Sequence, residues 1–319
     1  MTLKLGHLRY FVAVAEEGQM TRAARKLHLA QPALSQAIAQ LESQLGIVLL
    51  ERQARGVSLT PAGEMFLAKA RVALAASADA AQTAQSLSRA ARAAIEIGSL
   101  GSPPMATAPQ LFAAFADAHP KAELSFRDLP FPRDSTPSWL EEVDVALCFS
   151  PTPHPGVRVR ALRAEPRAVV APESHPLAQR SEVTVAEVLD ETFYGFHPAV
   201  EPVWAGFWML DDHRGKPPTC ITPDRARNPL EMFAIVASGR AITTFPASRA
   251  AVIQKLLRGV VAIPLRDAHP AVLSLVWRMD NPNPLVEALV AFAQVVDSPE
   301  GRLPVGALTP VEMGSALAL

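Results

Sequence analysis

The sequence predicts an all-α head built on a winged helix-turn-helix, a long connecting helix, and an α/β body. Three observations carry this. Residues 18–60 hold two short helical patterns joined by a four-residue turn. Residues 62–92 contain no proline and one glycine, at their start. From residue 94 on, short apolar runs alternate with helical patterns, as in α/β folds with a mostly parallel sheet.

In the head, Thr21 has the chemistry of a helix N-cap, and Ala23, Ala24 and Arg25 favour helix. Leu27, His28, Leu29 and Ala30 form the turn, and Pro32 suits the first helical position because its missing N–H has no intrahelical acceptor there. Leu34, Ile38, Leu41 and Leu45 recur at spacings of four, three and four, giving one buried stripe. The opposite face presents Gln31, Ala33, Ser35, Gln36 and Gln40, with no acidic residue before Glu42 to repel phosphate. Glutamine bridges adenine edges, serine reaches several bases, and alanine touches a thymine methyl. Gly46 ends the helix. Arg52 and Arg55 flank a turn at Gly56, and 57–59 is extended, which makes a β-wing with arginines placed for phosphate or minor-groove contact. The segment reads either as a helical hairpin with a solvated polar face or as a reader of double-stranded DNA whose second helix enters the major groove.

Charge favours the DNA reader. Residues 1–92 carry 11 Lys and Arg against 6 Asp and Glu, whereas the rest carries 19 against 25. A basic front on an acidic body fits a nucleic-acid-binding domain joined to something else. Two cysteines, Cys148 and Cys220, cannot build a disulfide framework and point to a reducing, cytoplasmic setting. Both stand in apolar stretches and read as buried structural thiols. The N-terminus lacks a signal-like apolar core, and no run of about 18 apolar residues occurs, so no membrane partner is expected.

Along 62–92, Phe66, Ala70, Ala73, Ser77, Ala80, Ala84 and Leu87 follow a 3.5-residue period, the spacing of a coiled-coil seam. The helix is a solvated connector or a dimerisation element. A lone helix of this length gains little from packing, and a head reading symmetric half-sites needs a dimer.

The head resembles the winged helix-turn-helix of the LysR-type transcriptional regulators. The matching residues are Leu8-Arg9-Tyr10-Phe11, Thr21, Ala23-Ala24, Leu27, Gln31-Pro32-Ala33-Leu34-Ser35, Ile38, Leu41-Glu42, Leu45-Gly46, Arg52 and Leu59-Thr60-Pro61-Ala62-Gly63. Met20 and Leu50 stand where the family usually has Phe, apolar changes that cores tolerate. The resemblance implies DNA contacts from Thr21, Arg22, Gln31, Pro32, Ala33, Ser35, Gln36, Gln40, Arg52 and Arg55. It also implies a bacterial homodimer or homotetramer on an inverted-repeat operator, with RNA polymerase as a further partner if the protein activates.

In the body, strands are expected at 95–98, 122–128, 143–149, 167–171, 193–196, 219–222, 241–244, 260–263 and 272–277. Helices are expected at 110–118, 137–142, 185–189, 202–211, 230–237, 247–257 and 284–296. This part resembles the LysR effector domain through Asp144-Val145-Ala146, Ser174-His175-Pro176-Leu177-Ala178, Ala234-Ile235-Val236-Ala237-Ser238-Gly239-Arg240 and Phe245-Pro246-Ala247-Ser248. The implied layout is a DNA-binding domain at 1–61, a linker helix at 62–92, lobe I at 93–163 and 267–300, lobe II at 164–266, and a tail at 301–319. Crossovers fall near 162–165 and 264–267. A small-molecule effector, by default an organic acid, would bind in the cleft between lobes.

For that cleft, Ser99, Leu100, Gly101 and Ser102 follow the first strand. Composition alone reads them as an ordinary strand-to-helix loop, and the resemblance places effector contacts there, although Pro103 and Pro104 remove donors that a carboxylate would use. Pro109 is structural. By the resemblance, Gly195, Phe196, His197 and Pro198 face the pocket across the cleft, with Thr243, Thr244, Phe245 and Pro246 and the loop Leu129, Pro130 and Phe131 as further candidates. A lone His such as His197 is more often structural than ligating. Trp204 and Trp208, four apart, fit packing or lobe contact better than a ligand box.

Two other readings compete: an enzyme or solute binder with an incidental helical head, and a nucleoid-type architectural protein. The enzyme reading finds no Gly-x-Ser-x-Gly elbow, Walker loop or paired-His motif, and the eight histidines are scattered. No cofactor or metal is expected. The architectural protein would not need a two-lobed body.

Overall fold

Leu8, Phe11 and Val14 lie three apart, and their burial on one face makes α1 (Leu5–Glu17) the back wall of the head. α2 (Met20–Lys26) and α3 (Gln31–Leu45) follow. Ala23 and Ala24 carry no bulk and are fully buried, so α2 nests against its neighbours. Gln19, not Thr21, is the N-cap of α2, which begins two residues earlier than Thr21 would require, so Thr21 lies exposed in the first turn. β1 (Leu50–Gln53) and β2 (Gly56–Leu59) pair antiparallel, with Leu50 opposite Leu59. α4 (Pro61–Ala91) runs on from the wing. Phe66 meets Phe11 edge-on at 5.4 Å, Ala70 is buried, and Ala73 packs on the same core. The first half of the expected coiled-coil seam is therefore taken up inside the head. The large apolar residues exposed on α4 are Met65, Val72 and Leu87.

This computed structural model describes residues 3–53, 56–100, 108–132, 137–150, 153–226 and 228–296, and the chain falls into two compact units, 1–82 and 83–319. The expected tail at 301–319 lies outside the described residues. Among those described, no helix is long and apolar enough to cross a membrane.

In the second unit, β3 (Ala94–Leu100), α5 (Pro109–Ala118), β4 (Glu123–Leu129), a 3-10 turn (Pro137–Leu140), β5 (Val145–Phe149) and β6 (Val157–Glu165) build lobe I. The chain crosses at Pro166 into β7 (Arg167–Pro172), α6 (Val185–Val188), β8 (Phe193–Phe196), α7 (Pro202–Trp208), α8 (Asp211–Arg214), β9 (Ile221–Ala226), α9 (Pro229–Ala237), β10 (Thr243–Pro246), α10 (Ala247–Leu256) and β11 (Val260–Pro264). It returns through residues 265–270 to β12 (Ala271–Arg278), and α11 (Pro284–Val296) is the last described element.

The sheets are mixed rather than mostly parallel. Lobe I has the order β4-β3-β5-β12-β6, with β3 parallel to β4 and β5 and β12 antiparallel to β5 and β6. Lobe II has β7 between antiparallel β10 and β11, beside a parallel β8–β9 pair. The reversals come from the crossings: β12 starts at the hinge where β6 ends, with Ala271 opposite Glu165, and so runs against its neighbours. β6 had no counterpart in the expected elements. It is an edge strand whose Arg158, Arg160 and Arg163 make it read as loop. The expected helix at 202–211 breaks at Leu210, whose φ of 66° leaves the helical region. Cys148 is buried and Cys220 is exposed just before β9, so only one thiol is structural in the way both were expected to be. Burial pushes the Cys148 thiol up to about 12, so it stays protonated.

Candidate nucleic-acid interface and effector cleft

α3 separates its tasks by face. Leu34, Ile38 and Leu41 are buried at 0–4%, while Gln31, Pro32, Ala33, Gln36 and Gln40 are exposed and Ser35 is half-buried. No side chain caps the N-terminus of α3, so its first amides keep their donor capacity. Glu42 does not sit free beside this face: its Oε1 accepts from the backbone N–H groups of Leu49 (2.7 Å) and Leu50 (3.0 Å) and anchors the wing.

The wing is held close by Gly56. Its φ is 152°, and a Cβ there would stand 2.4 Å from the carbonyl oxygen of Gly18, to which Val57 N–H donates at 2.8 Å. This docking brings Thr21, Gln31 and Ser35 together with Gln19, Met20, Gln53, Gly56 and Val57 around one open groove of about 460 Å³. Sequence reasoning missed Gln19 and Gln53, whose position follows only from the wing's approach. Arg22 is exposed and donates to Glu17 O at 2.6 Å. The side chain of Arg52 and all of Arg55 lie outside the described residues.

In the second unit, Ser99 and Leu100 are buried in β3. Gly101 and Ser102, with Pro103 and Pro104, lie outside the described residues. Phe131 is 1% exposed and starts a run of rings across the lobes: Phe131–Phe196 at 5.4 Å, Phe131–Trp204 at 5.3 Å, Trp204–Trp208 at 5.9 Å and Trp208–Phe245 at 5.8 Å. Trp204 Nε1 donates to Phe149 O at 3.1 Å, and Glu201 N–H donates to Pro132 O at 2.8 Å, so α7 is fastened to lobe I. The expected packing or lobe-contact role of Trp204 and Trp208 is what the structure has. Thr243 and Thr244 are fully buried, and the Thr244 hydroxyl donates to Trp208 O. His197 Nδ1 accepts from Ala199 N–H at 3.1 Å, a local turn bond, and Pro198 is exposed.

An open pocket of about 560 Å³ lies beside this cluster, with walls from both lobes. Leu129 and Pro130 line one side, and Pro229, Leu230, Phe233, Ile253, Leu256 and Leu257 the other, with Asp128 and Asn228 as its polar groups. Of these, Leu129 and Pro130 were sequence candidates. Burial raises the Asp128 carboxyl above the usual range, and the Asn228 side chain is engaged in capping α9 through Glu231 N–H.

The family model described as "Bacterial regulatory helix-turn-helix protein, lysR family" matches residues 5–64, and that of the "LysR substrate binding domain" matches 88–296. The HTH-type transcriptional regulator TdfR of Cupriavidus pinatubonensis is 32% identical over 295 residues, covering 92% of this chain and 98% of that one. The solved structure of full-length BenM, a regulator of Acinetobacter baylyi, superposes with a TM-score of 0.51 at 29% identity, covering 92% of this chain and 96% of that one. CbnR bound to its target DNA gives 0.50 at 25% identity, covering 93% and 100%. These relatives are named as transcriptional regulators and not as enzymes. With both domain models matched in order along the chain, the protein belongs to the LysR family of DNA-binding transcriptional regulators.

Proposed function

We propose that the protein reads an inverted-repeat operator as a dimer of dimers and that a small effector in the inter-lobe cleft changes how its heads are presented. The observation that carries the DNA half is the exposed face of Gln31, Ala33, Gln36 and Gln40 beside the groove shared with the wing. Gln36 and Gln40 offer amides for base edges, and the open α3 N-terminus offers amides for phosphate. CbnR, similar over nearly its whole length, is a protein solved on its target DNA. Met65, Val72 and Leu87, exposed on α4, supply apolar area for pairing with a second copy.

For the effector, the pocket beside Pro130 supplies an apolar wall, and the aromatic run from Phe131 to Phe245 lies behind it. The described lining holds Asp128 and no basic side chain, so it suits the apolar part of an effector. An organic acid would need its charge met elsewhere. Footprinting on the DNA upstream of the protein's own and neighbouring operons tests the first half, and a complete absence of protection overturns it. A thermal-shift screen of carboxylates and neutral metabolites on the full chain tests the second, since a ligand of the folded state raises the melting temperature by mass action.

A further inference from the structure

Both crossovers between the lobes meet at one cluster. Arg167 opens β7 just after the first crossover, and His269 lies in the second. The Arg167 Nε–H donates to His269 O at 2.9 Å, joining the two segments directly. The same guanidinium is fully buried, pairs with Asp212 of α8 at 2.7 Å, and donates to Phe207 O at 2.6 Å. His213, the next residue of α8, stacks on the His269 ring at 4.2 Å.

The hydrogen bonds fix the protons. His269 backbone N–H can only donate, so His213 Nε2, 3.0 Å away, accepts and carries no proton. A carboxylate can only accept, so His269 Nδ1–H donates to Asp212 Oδ2 at 3.1 Å. His213 Nε2 also stands 3.6 Å from that same oxygen. Asp212, His213 and His269 thus place three metal-ligating atoms within 4.8 Å of one another. A metal ion is opposed there by the Arg167 cation on the shared oxygen and by the Nε2 lone pair already engaged with His269 N–H.

We propose that His213 is an acid-sensitive latch on the lobe hinge, in which a proton on Nε2 exchanges the His269 N–H for the Asp212 carboxylate and frees the second crossover. Once protonated, Nε2 is a donor facing a donor and must turn to Asp212 Oδ2, the oxygen that Arg167 and His269 already use. Residues 265–270 then lose the bond through His269 N–H, and the Arg167 tie between the crossovers weakens with it. The other groups around His213 are Arg167 from β7, Asp267 and His269 from the crossover, and Asp211, Asp212 and Arg214 from its own helix; α7 contributes no charged side chain. Burial, with His269 and Arg167, holds the imidazole below its ordinary value of 6.5, against the pull of Asp212 and Asp267. The folded state therefore binds fewer protons than the unfolded chain, and the latch contributes stability above pH 6.5 that is lost as the pH falls.

The test is amide hydrogen exchange across residues 265–271 in the full chain at pH 7.5 and 5.5, corrected for intrinsic rates, in the unsubstituted protein and in His213→Gln. Glutamine offers an acceptor without titrating. The unsubstituted protein should lose protection by about tenfold on acidification, and the variant by less than about twofold. Asp211→Asn in both backgrounds removes the oppositely signed titration of that carboxyl. No loss in the unsubstituted protein overturns the proposal whether or not the variant folds. An equal loss in both proteins, or an added zinc salt raising protection at pH 7.5, does so as well.

Discussion

Arg89, near the end of α4, grips Asp144 through two nitrogens, Nε to Oδ2 at 2.6 Å and a terminal nitrogen to Oδ1 at 3.0 Å. The Asp144 carboxylate is fully buried, and it also accepts from the Ser86 hydroxyl at 2.7 Å, Glu96 N–H at 3.0 Å and the Asn283 amide at 3.2 Å. One side chain thus joins α4, β3 and the residue before α11. Asp144→Ala leaves a buried cation and three further donors without their acceptor. It should lower stability by about 3–5 kcal/mol in urea unfolding. A loss below about 1 kcal/mol would show that water readily replaces the carboxylate.

Gln36→Ala should weaken specific operator binding by about 1–3 kcal/mol and leave non-specific binding nearly unchanged, because an uncharged side chain takes no part in phosphate neutralisation. Paired titrations of operator and scrambled DNA at one salt concentration decide this. Equal losses on both DNAs would remove Gln36 from base reading.

Gly56→Ala should loosen the wing. The added methyl meets Gly18 O at 2.4 Å, and the φ of 152° disfavours any side chain. Reduced DNA affinity with the melting of the second unit unchanged is the expected pattern in calorimetry and binding assays.

Phe131→Ala removes the lobe I end of the ring cluster, where the side chain is 1% exposed. A cost of about 3–5 kcal/mol is expected. The Trp204 ring, 5.3 Å away, should report the change by a shift in intrinsic fluorescence.

Asp211→Asn should stabilise the chain at neutral pH. Burial raises the Asp211 carboxyl to about 6, against the pull of Arg214. For an acid whose folded value lies above its unfolded value of 3.8, ionisation disfavours folding, so stability falls as the pH rises from about 4 to about 6. Allowing for solvent screening at this half-buried site, the gain at pH 7 is about 1 kcal/mol, and it should vanish below pH 4. Melting temperatures across that range check the sign.

Periodicity made the head legible. Leu34, Ile38 and Leu41 are adjacent on one helix face, so spacing alone sorts them from Gln36 and Gln40. Features made by approach in space were not legible. Gln19 and Gln53 join the groove beside α3 only because Gly56 lets the wing reach Gly18. The pocket beside Pro130 draws on three separate segments, around Leu129, Leu230 and Leu256, the first in one lobe and the other two in the other, and no local pattern links them. β6 was hidden by its arginines, since an edge strand half in water need not look apolar. Thr21 has cap chemistry, yet the tight turn at Gly18, with φ 60°, starts α2 before it.

The residues by which α3 is held and those by which it faces outward form separate sets. Leu34, Ile38, Leu41 and Glu42 anchor it, while Gln36 and Gln40 are exposed. Exchanging exposed side chains of that kind ordinarily changes stability by no more than about 0.5 kcal/mol. The outward side chains of this head can therefore be exchanged, by selection or at the bench, with few compensating changes beneath.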